Sequence, residues 1–372
     1  MKSVFYIANI RLPTEKAHGI QIMEMCSALS QNGAEVELVV PRRINPILED
    51  PFVYYDIPPT FTITRVSCLD LVRFGKWGFW VQSLTFALSA RLAILFRPGV
   101  VFSRDALPLF FCSGSGRVRY FEVHRPLSDV ISWFVLARVD HIFPISRGLR
   151  KYFLDAGVTR ERMTVLPDGV DLAQFDVSAS REDCRTRVGL PRSSKLVLYT
   201  GHLYARKGAD VFAESARNFP PGVTAVIVGG TVVDLERFRQ THGDIPALQL
   251  LGHRLHSEMP YFLKSADVLV LPNSGASGDS SLYTSPMKLF EYMASETPIV
   301  ASDVPSLREV LTDETATFVP PDNPRALAQA ILTVIESGNI SAQRARLAKN
   351  VVFAYTWEER ARTVISKLTV AS

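Results

Sequence analysis

Leu196-Val-Leu-Tyr-Thr200 followed by Gly201-His-Leu-Tyr-Ala-Arg-Lys-Gly208 reads as a strand emptying into a glycine-bounded basic loop, with a helix to follow. An apolar run with no polar alternation is buried on both faces, which is how a strand of a parallel sheet covered by helices reads. Toward the C-terminus, Ala225–Val228, Leu248–Leu251, Val268–Leu271, Ile299–Ala301 and Thr317–Val319 repeat that signal between helical segments. Toward the N-terminus the same series has already run once, as Val4–Ala8, Glu35–Val40, Val100–Ser103, Val118–Val123, His141–Pro144 and Thr164–Leu166, with a helix predicted over Gln21–Asn32. The class is α/β, and the series restarts after the polar stretch Asp171–Ser194. The expected organisation is a domain over 1–172, a linker over 173–194 and a second domain over 195–354. Two Rossmann-like α/β/α domains facing across a cleft would turn the carboxyl ends of both sheets, where such folds take ligands, toward one another.

Length and composition agree. A chain of 372 residues exceeds what one core usually serves, and 47% hydrophobic with 21% charged residues excludes disordered and collagen-like classes. The net charge of +4 is too mild, and too free of polybasic tracts, for a nucleic-acid binder. Residues 1–170 hold 20 Lys/Arg against 15 Asp/Glu, or +5, which leaves 21 against 22, or −1, for the remainder. Four scattered cysteines without a CxxC pair fit a reducing compartment rather than a disulfide framework or zinc site. The first apolar run is too short for a signal-peptide core, and the segment Ser83–Phe96 is interrupted by Arg91, so a cytoplasmic location is expected.

Chemistry should sit in strand-to-helix loops. In the loop 200–208, Gly201 and Gly208 permit close backbone approach, and Arg206 and Lys207 add charge where unpaired helix N–H groups already favour an anion. The spacing is neither a Walker loop nor GxGxxG. Further on, Tyr283-Thr284-Ser285-Pro286 opens a predicted helix, with Ser285 as cap and Pro286 at its first position. Glu291, one turn in, is placed to accept both hydroxyls of a ribose; a surface pair with Lys288 is the alternative. Asp279 is the only carboxylate of the loop 273–281, so no Asp-x-Asp metal pair is present and metal-free chemistry is expected.

Taken in order, these segments resemble the family-four glycosyltransferases of the GT-B fold, retaining enzymes that use nucleotide sugars. The match runs through Glu15-Lys-Ala-His18-Gly19-Ile-Gln21, Tyr120-Phe-Glu122-Val-His124-Arg125, Phe143-Pro-Ile-Ser146, Val165-Leu-Pro-Asp-Gly169, the Gly201–Gly208 loop, Ala266-Asp267-Val-Leu-Val270, Lys288-Leu-Phe-Glu291-Tyr-Met-Ala294 and Pro298-Ile-Val-Ala-Ser302. The ending Tyr355-Thr-Trp-Glu-Glu-Arg-Ala361 is similar to a last helix, about 355–372, that packs back on the first domain. Two positions depart from the family pattern. Tyr283 stands where a first glutamate is usual, eight residues before Glu291, and His202 stands where an arginine follows the first strand of the second domain.

The resemblance implies glycosyl transfer from a nucleoside diphosphate sugar, a co-substrate rather than a cofactor, to a glycan or lipid-linked acceptor. It implies retention of configuration and no metal. His124, Lys207 and Glu291 are the catalytic candidates. Gly19, His202, Arg206, Lys207, Tyr283, Thr284, Ser285 and Glu291 are the donor-binding ones, and Glu122 and His18 the acceptor-side ones. Glu122 is expected on the face of its strand opposite His124. Trp77, Phe79 and Trp80 with Arg73 and Lys76 suit a headgroup region, and with the basic first half they imply peripheral contact with anionic membrane. An epimerase or hydrolase on the same scaffold, or a non-catalytic carbohydrate-binding subunit, are the alternatives.

Overall fold

The computed structural model describes residues 3–276 and 278–370, less the side chains of residues 279, 280, 369 and 370. Two compact units emerge: residues up to Asp168 together with those from Trp357 onward, and Gly169–Thr356.

The first unit holds a parallel sheet of β1 (Ser3–Ile7), β2 (Glu35–Pro41), β3 (Thr62–Val66), β4 (Val100–Ser103), β5 (Arg119–Val123) and β6 (His141–Pro144), in the order β3-β2-β1-β4-β5-β6. The direction of strand succession reverses between β1 and β4, and that is where a doubly wound sheet opens a crevice beyond its carboxyl ends. The helix Ala17–Gln31 follows β1, and the C-terminal helix Trp357–Val370 packs against it. Five predicted strands are present. Thr164–Leu166 forms no strand of its own, although the Thr164 and Leu166 amides donate to the Ile142 and Pro144 carbonyls at the outer edge of β6. The edge strand β3 went unpredicted: Thr62-Ile-Thr-Arg-Val66 has a polar, half-exposed pattern with a single buried residue.

The second unit repeats the topology with β7 (Lys195–Thr200), β8 (Val223–Val228), β9 (Leu248–Gly252), β10 (Val268–Leu271), β11 (Ile299–Ser302) and β12 (Thr317–Val319), ordered β12-β11-β10-β7-β8-β9. Alternation splits its core: Leu196 and Leu198 join the hydrophobic cluster on one face, Val197 and Tyr199 the cluster on the other. The reversal falls between β7 and β10, at the mouth of the glycine-bounded loop 201–208.

Residues 173–194 are not a linker. Phe175, Cys184 and Leu190 are buried, and the short helix Arg181–Arg187 packs on the helix Met259–Ser265 of the second unit. Arg185 anchors it, donating to the carbonyls of Ser265, Arg192 and Ser194 and, at 2.6 Å, to Asp267. A helix whose burial runs through a hydrogen-bonded arginine leaves no apolar period to read.

Candidate functional site

In the second unit the end of β7 is pinned by the helix Met287–Ala294. The Thr200 amide donates to the Tyr292 hydroxyl at 2.8 Å, and Lys288 Nζ donates to the Thr200 carbonyl at 3.3 Å while lying 3.9 Å from the centre of the Tyr199 ring. Lys288, Glu291 and Tyr292 share one helical face by their i, i+3, i+4 spacing. The loop beyond is set by glycines. Gly201 has φ of +130° and Gly208 of +74°, and a Cβ on Gly208 would lie 1.6 Å from the Pro272 carbonyl at the end of β10. Lys207 occupies a 3-10 turn (Ala205–Lys207) directly before Gly208. Burial, and after it the Lys207 charge, pull the Lys288 ammonium well below the usual lysine range; Glu291 acts in the opposite sense. This end of the sheet therefore collects positive charge that water solvates poorly.

The expected residues differ in their surroundings there. Lys207 is half-buried and electrostatically coupled to Lys288. Arg206 is exposed, with its guanidinium over the Tyr204 ring at 5.1 Å, and His202 stacks on that ring at 4.9 Å. Glu291 is neither a surface residue nor paired with Lys288: it is buried, and its Oε1 meets His256 Nε2 at 2.9 Å. Tyr283, Thr284 and Ser285 are half-buried ahead of the helix. Pro286 is the cap residue, without a side-chain cap bond, so the helix begins at Met287 rather than after Ser285. The Asp279 side chain lies outside the described residues.

In the first unit a second polar cluster forms beyond β1, β4 and β5. Glu122 is fully buried and bound on all sides: Gln21 Nε2 donates to its Oε1 at 2.8 Å, His124 Nε2 meets the same oxygen at 2.5 Å, and Arg360 Nη2 donates to Oε2 at 2.9 Å. Arg104 completes the chain by donating to Gln21 Oε1 at 2.5 Å. Burial works against ionising Glu122, but Arg360, the His124 hydrogen bond and Arg104 outweigh it and hold the carboxyl well below its usual range. His124 is driven the other way from its ordinary value, down to about 4, by burial and Arg104; His18 is likewise held at about 4 by burial, Arg104 and Lys16. Both imidazoles are neutral at pH 7.

Three expectations are corrected here. Glu122 shares the face of His124, because residues two apart on a strand point the same way. Its burial and three partners leave it no route to an acceptor. Gly19 lies within the helix Ala17–Gln31 rather than in a loop, with its N–H donated to the Lys16 carbonyl; a Cβ there would fall 2.1 Å from the Tyr55 hydroxyl, so packing requires the glycine.

Both polar clusters thus occupy the carboxyl ends of strands in a doubled Rossmann-like frame, and comparison with known proteins names that frame. A family model described as Glycosyltransferase Family 4 matches residues 19–174, and one described as Glycosyl transferases group 1 matches residues 194–337. The chain is related to the family-four glycosyltransferases and has the GT-B fold. A phosphatidyl-myo-inositol mannosyltransferase of Mycobacterium tuberculosis is 32% identical over 203 residues, 52% of this chain and 50% of that one. The chain spans about half the length of the curated relatives first matched. Among solved structures, sucrose-phosphate synthase of Thermosynechococcus elongatus superposes with a TM-score of 0.81 at 18% identity, and Anabaena Alr3699/HepE in complex with UDP-glucose with 0.78 at 14%, each covering 100% of both chains.

For a relative of family four, the residues the sequence pointed to are divided between the two units: His18, Gly19, Glu122 and His124 in the first, the remainder in the second. Five further members were missed. Lys288 and His256 complete the polar set around Glu291, and Gln21, Arg104 and Arg360 that around Glu122. Lys288 was legible, since it precedes Glu291 by one turn; Arg360, 238 positions from Glu122, had no local signal. Among the described residues no group of three His, Cys, Asp or Glu forms a metal cluster.

Proposed function

We propose that the chain transfers a sugar from a nucleoside diphosphate sugar to a glycan or lipid-linked acceptor, with retention of configuration, in the synthesis of cell-surface polysaccharide or glycolipid. The observation that carries this reading is the coupling of Lys207 and Lys288 at the end of β7, beside Gly201, whose φ of +130° favours glycine and whose Cβ position has no neighbour nearer than 3.5 Å. As the glycosidic bond breaks, the anomeric carbon becomes oxocarbenium-like and the departing diphosphate gains charge, so the Lys207 ammonium, joined by Lys288 once it is protonated, acts where charge develops. Glu291 accepts ribose hydroxyls, with His256 holding one of its oxygens. His124 orients a hydroxyl of the donor sugar. Glu122, enclosed as it is, is no covalent nucleophile, which favours a front-face route in which the donor phosphate takes the acceptor proton. The complexes of Alr3699/HepE with UDP and UDP-glucose make uridine nucleotides the first donors to test.

The acceptor side faces a membrane in this reading. The helix Lys76–Ile94 carries an exposed stripe of Trp77, Trp80, Leu84, Leu88 and Leu92, spaced three or four residues apart, with Arg73 and Lys76 at its start. No helix among the described residues is long and apolar enough to cross a membrane. Such a stripe with a basic margin suits the headgroup boundary of an anionic bilayer, which supports a position at the cytoplasmic face, close to lipid-linked acceptors.

A thermal-shift panel of UDP, GDP, ADP and CMP sugars identifies the donor, because a ligand bound only by the native state raises its Tm. With that donor, Lys207→Ala lowers turnover by about 100-fold or more, the effect of removing one strong oxyanion donor. Unchanged turnover defeats the phosphate assignment, and an inverted product anomer, read by NMR, defeats retention.

A further inference from the structure

Glu122 cannot meet a substrate, yet it is fully buried and held by three side chains, and that demands an account. Its carboxylate takes hydrogen bonds from Gln21, His124 and Arg360 and lies beneath the sheet's carboxyl edge with no exposed surface. Arg360 is itself only 4% exposed and is aligned from the far end of the chain: its Nε donates to the Pro167 carbonyl at 2.8 Å, and its Nη2 reaches the Leu166 carbonyl as well as Glu122. A buried ion pair is a poor source of net stability, since desolvation of two charges offsets most of their attraction. The arrangement does, however, fix the chemistry of the remaining member, His124, whose side chain is 21% exposed.

We propose that Glu122, clamped by Arg360 and Gln21, is a positioning residue that holds His124 as the neutral Nε2–H tautomer and so presents Nδ1 as a hydrogen-bond acceptor to a hydroxyl of the bound sugar. The proposal rests on the glycosyl-transfer reading above. An ionised carboxylate can only accept, so the imidazole nitrogen facing it must carry the proton, and the other nitrogen keeps its lone pair. The groups facing His124 are Arg104 from the end of β4, Glu122 from β5, Arg360 from the C-terminal helix and His18 from the first turn of the helix Ala17–Gln31. The two guanidinium groups and burial disfavour a second proton on the ring, and Glu122 opposes them without prevailing. His124 therefore works as an acceptor of fixed direction and does not shuttle protons near neutral pH. The C-terminal helix becomes part of the site by this route, through a residue that touches no substrate.

The test is long-range 1H–15N correlation on protein with ring-15N histidine, the His124 signal being the one of seven that is lost in His124→Gln. Wild-type His124 shows the Nε2–H tautomer and stays neutral from pH 8 to near pH 5; an Nδ1–H tautomer or an imidazolium at pH 7 overturns the proposal without recourse to any other variant. In Glu122→Gln the amide donates to Nε2, the tautomer shifts to Nδ1–H or a mixture, and kcat falls by about 100-fold with KM for the donor changed less than threefold. Arg360→Lys keeps the charge, keeps the tautomer, and loses less than tenfold. A tautomer that survives Glu122→Gln, or one that shifts with kcat unaltered, overturns the positioning role. If no nucleotide sugar is turned over, the glycosyl-transfer reading fails, while the wild-type tautomer still decides what Glu122 does to His124.

Discussion

Lys288 lies where a free ammonium is costly, between the Thr200 carbonyl, the Tyr199 ring and the charge of Lys207. Its pKa is lowered, so as pH falls from the ordinary lysine range the side chain stays neutral longer than a surface lysine would. A diphosphate arriving beside it favours the charged form, so binding takes up a proton and tightens as pH falls. Calorimetry of UDP binding in buffers of different ionisation enthalpy reads that uptake. Lys288→Met abolishes it and weakens binding about tenfold; equal uptake in the variant removes Lys288 from the phosphate site. Gly208 makes a structural counterpart. At φ of +74°, with the Pro272 carbonyl 1.6 Å from any Cβ, Gly208→Ala costs about 2 kcal/mol or more in chemical denaturation. What the sequence disclosed at this scale was local. Gly201, Lys207, Gly208 and Glu291 stand in one loop or one helical turn, whereas the His256 to Glu291 bond joins residues 35 apart and the Arg360 to Glu122 pair residues 238 apart. No spacing announces a partner brought in by topology.

Among elements, legibility followed burial. The strands β1, β4, β7, β8 and β10 are apolar on both faces and their bounds agree with the expected runs to within two residues. β3, an edge strand held by β2 alone, carries Thr and Arg toward solvent and gave no run to find. The helix Lys76–Ile94 offers no single apolar face to read, for the opposite reason. Its buried side is Gly78, Gln82, Ser83, Phe86, Ala87, Ala90 and Ile94, while Trp77, Trp80 and Leu92 are among its exposed residues, so apolar side chains lie all around it. A helix that turns its tryptophans outward awaits an apolar partner, and the basic first half makes anionic lipid the expected one. Flotation with vesicles containing phosphatidylglycerol recovers the wild type, while Trp77→Ser combined with Trp80→Ser loses most of it. Equal recovery on neutral and acidic vesicles, or by wild type and variant, removes the lipid assignment.

At the scale of the molecule, three imidazoles tie the stability of the first unit to pH. His18, His124 and His141 all belong to the first unit, and burial is the leading cause that lowers each to about 4. In the unfolded chain the same groups titrate near 6.5, so between pH 6.5 and 4 the unfolded first unit binds protons that the folded one refuses. The sign follows: the first unit is most stable above pH 6.5 and weakens as pH falls toward 4, by about 1 kcal/mol per histidine at pH 5 once partial exposure is discounted. For a unit of this size that lowers Tm by about 5 °C or more. The tryptophans allow the effect to be located, because Trp77, Trp80, Trp133 and Trp357, all four in the chain, lie in the first unit. Intrinsic fluorescence therefore follows that unit alone, while far-UV circular dichroism follows both. Between pH 7 and pH 5 the fluorescence-detected transition moves down by more than the dichroism-detected one, and His141→Gln removes about a third of the shift. A fluorescence Tm that is flat across this range would show that the buried imidazoles find protons as easily in the fold as in water, and the neutral His124 on which the sugar-side geometry depends would go with it.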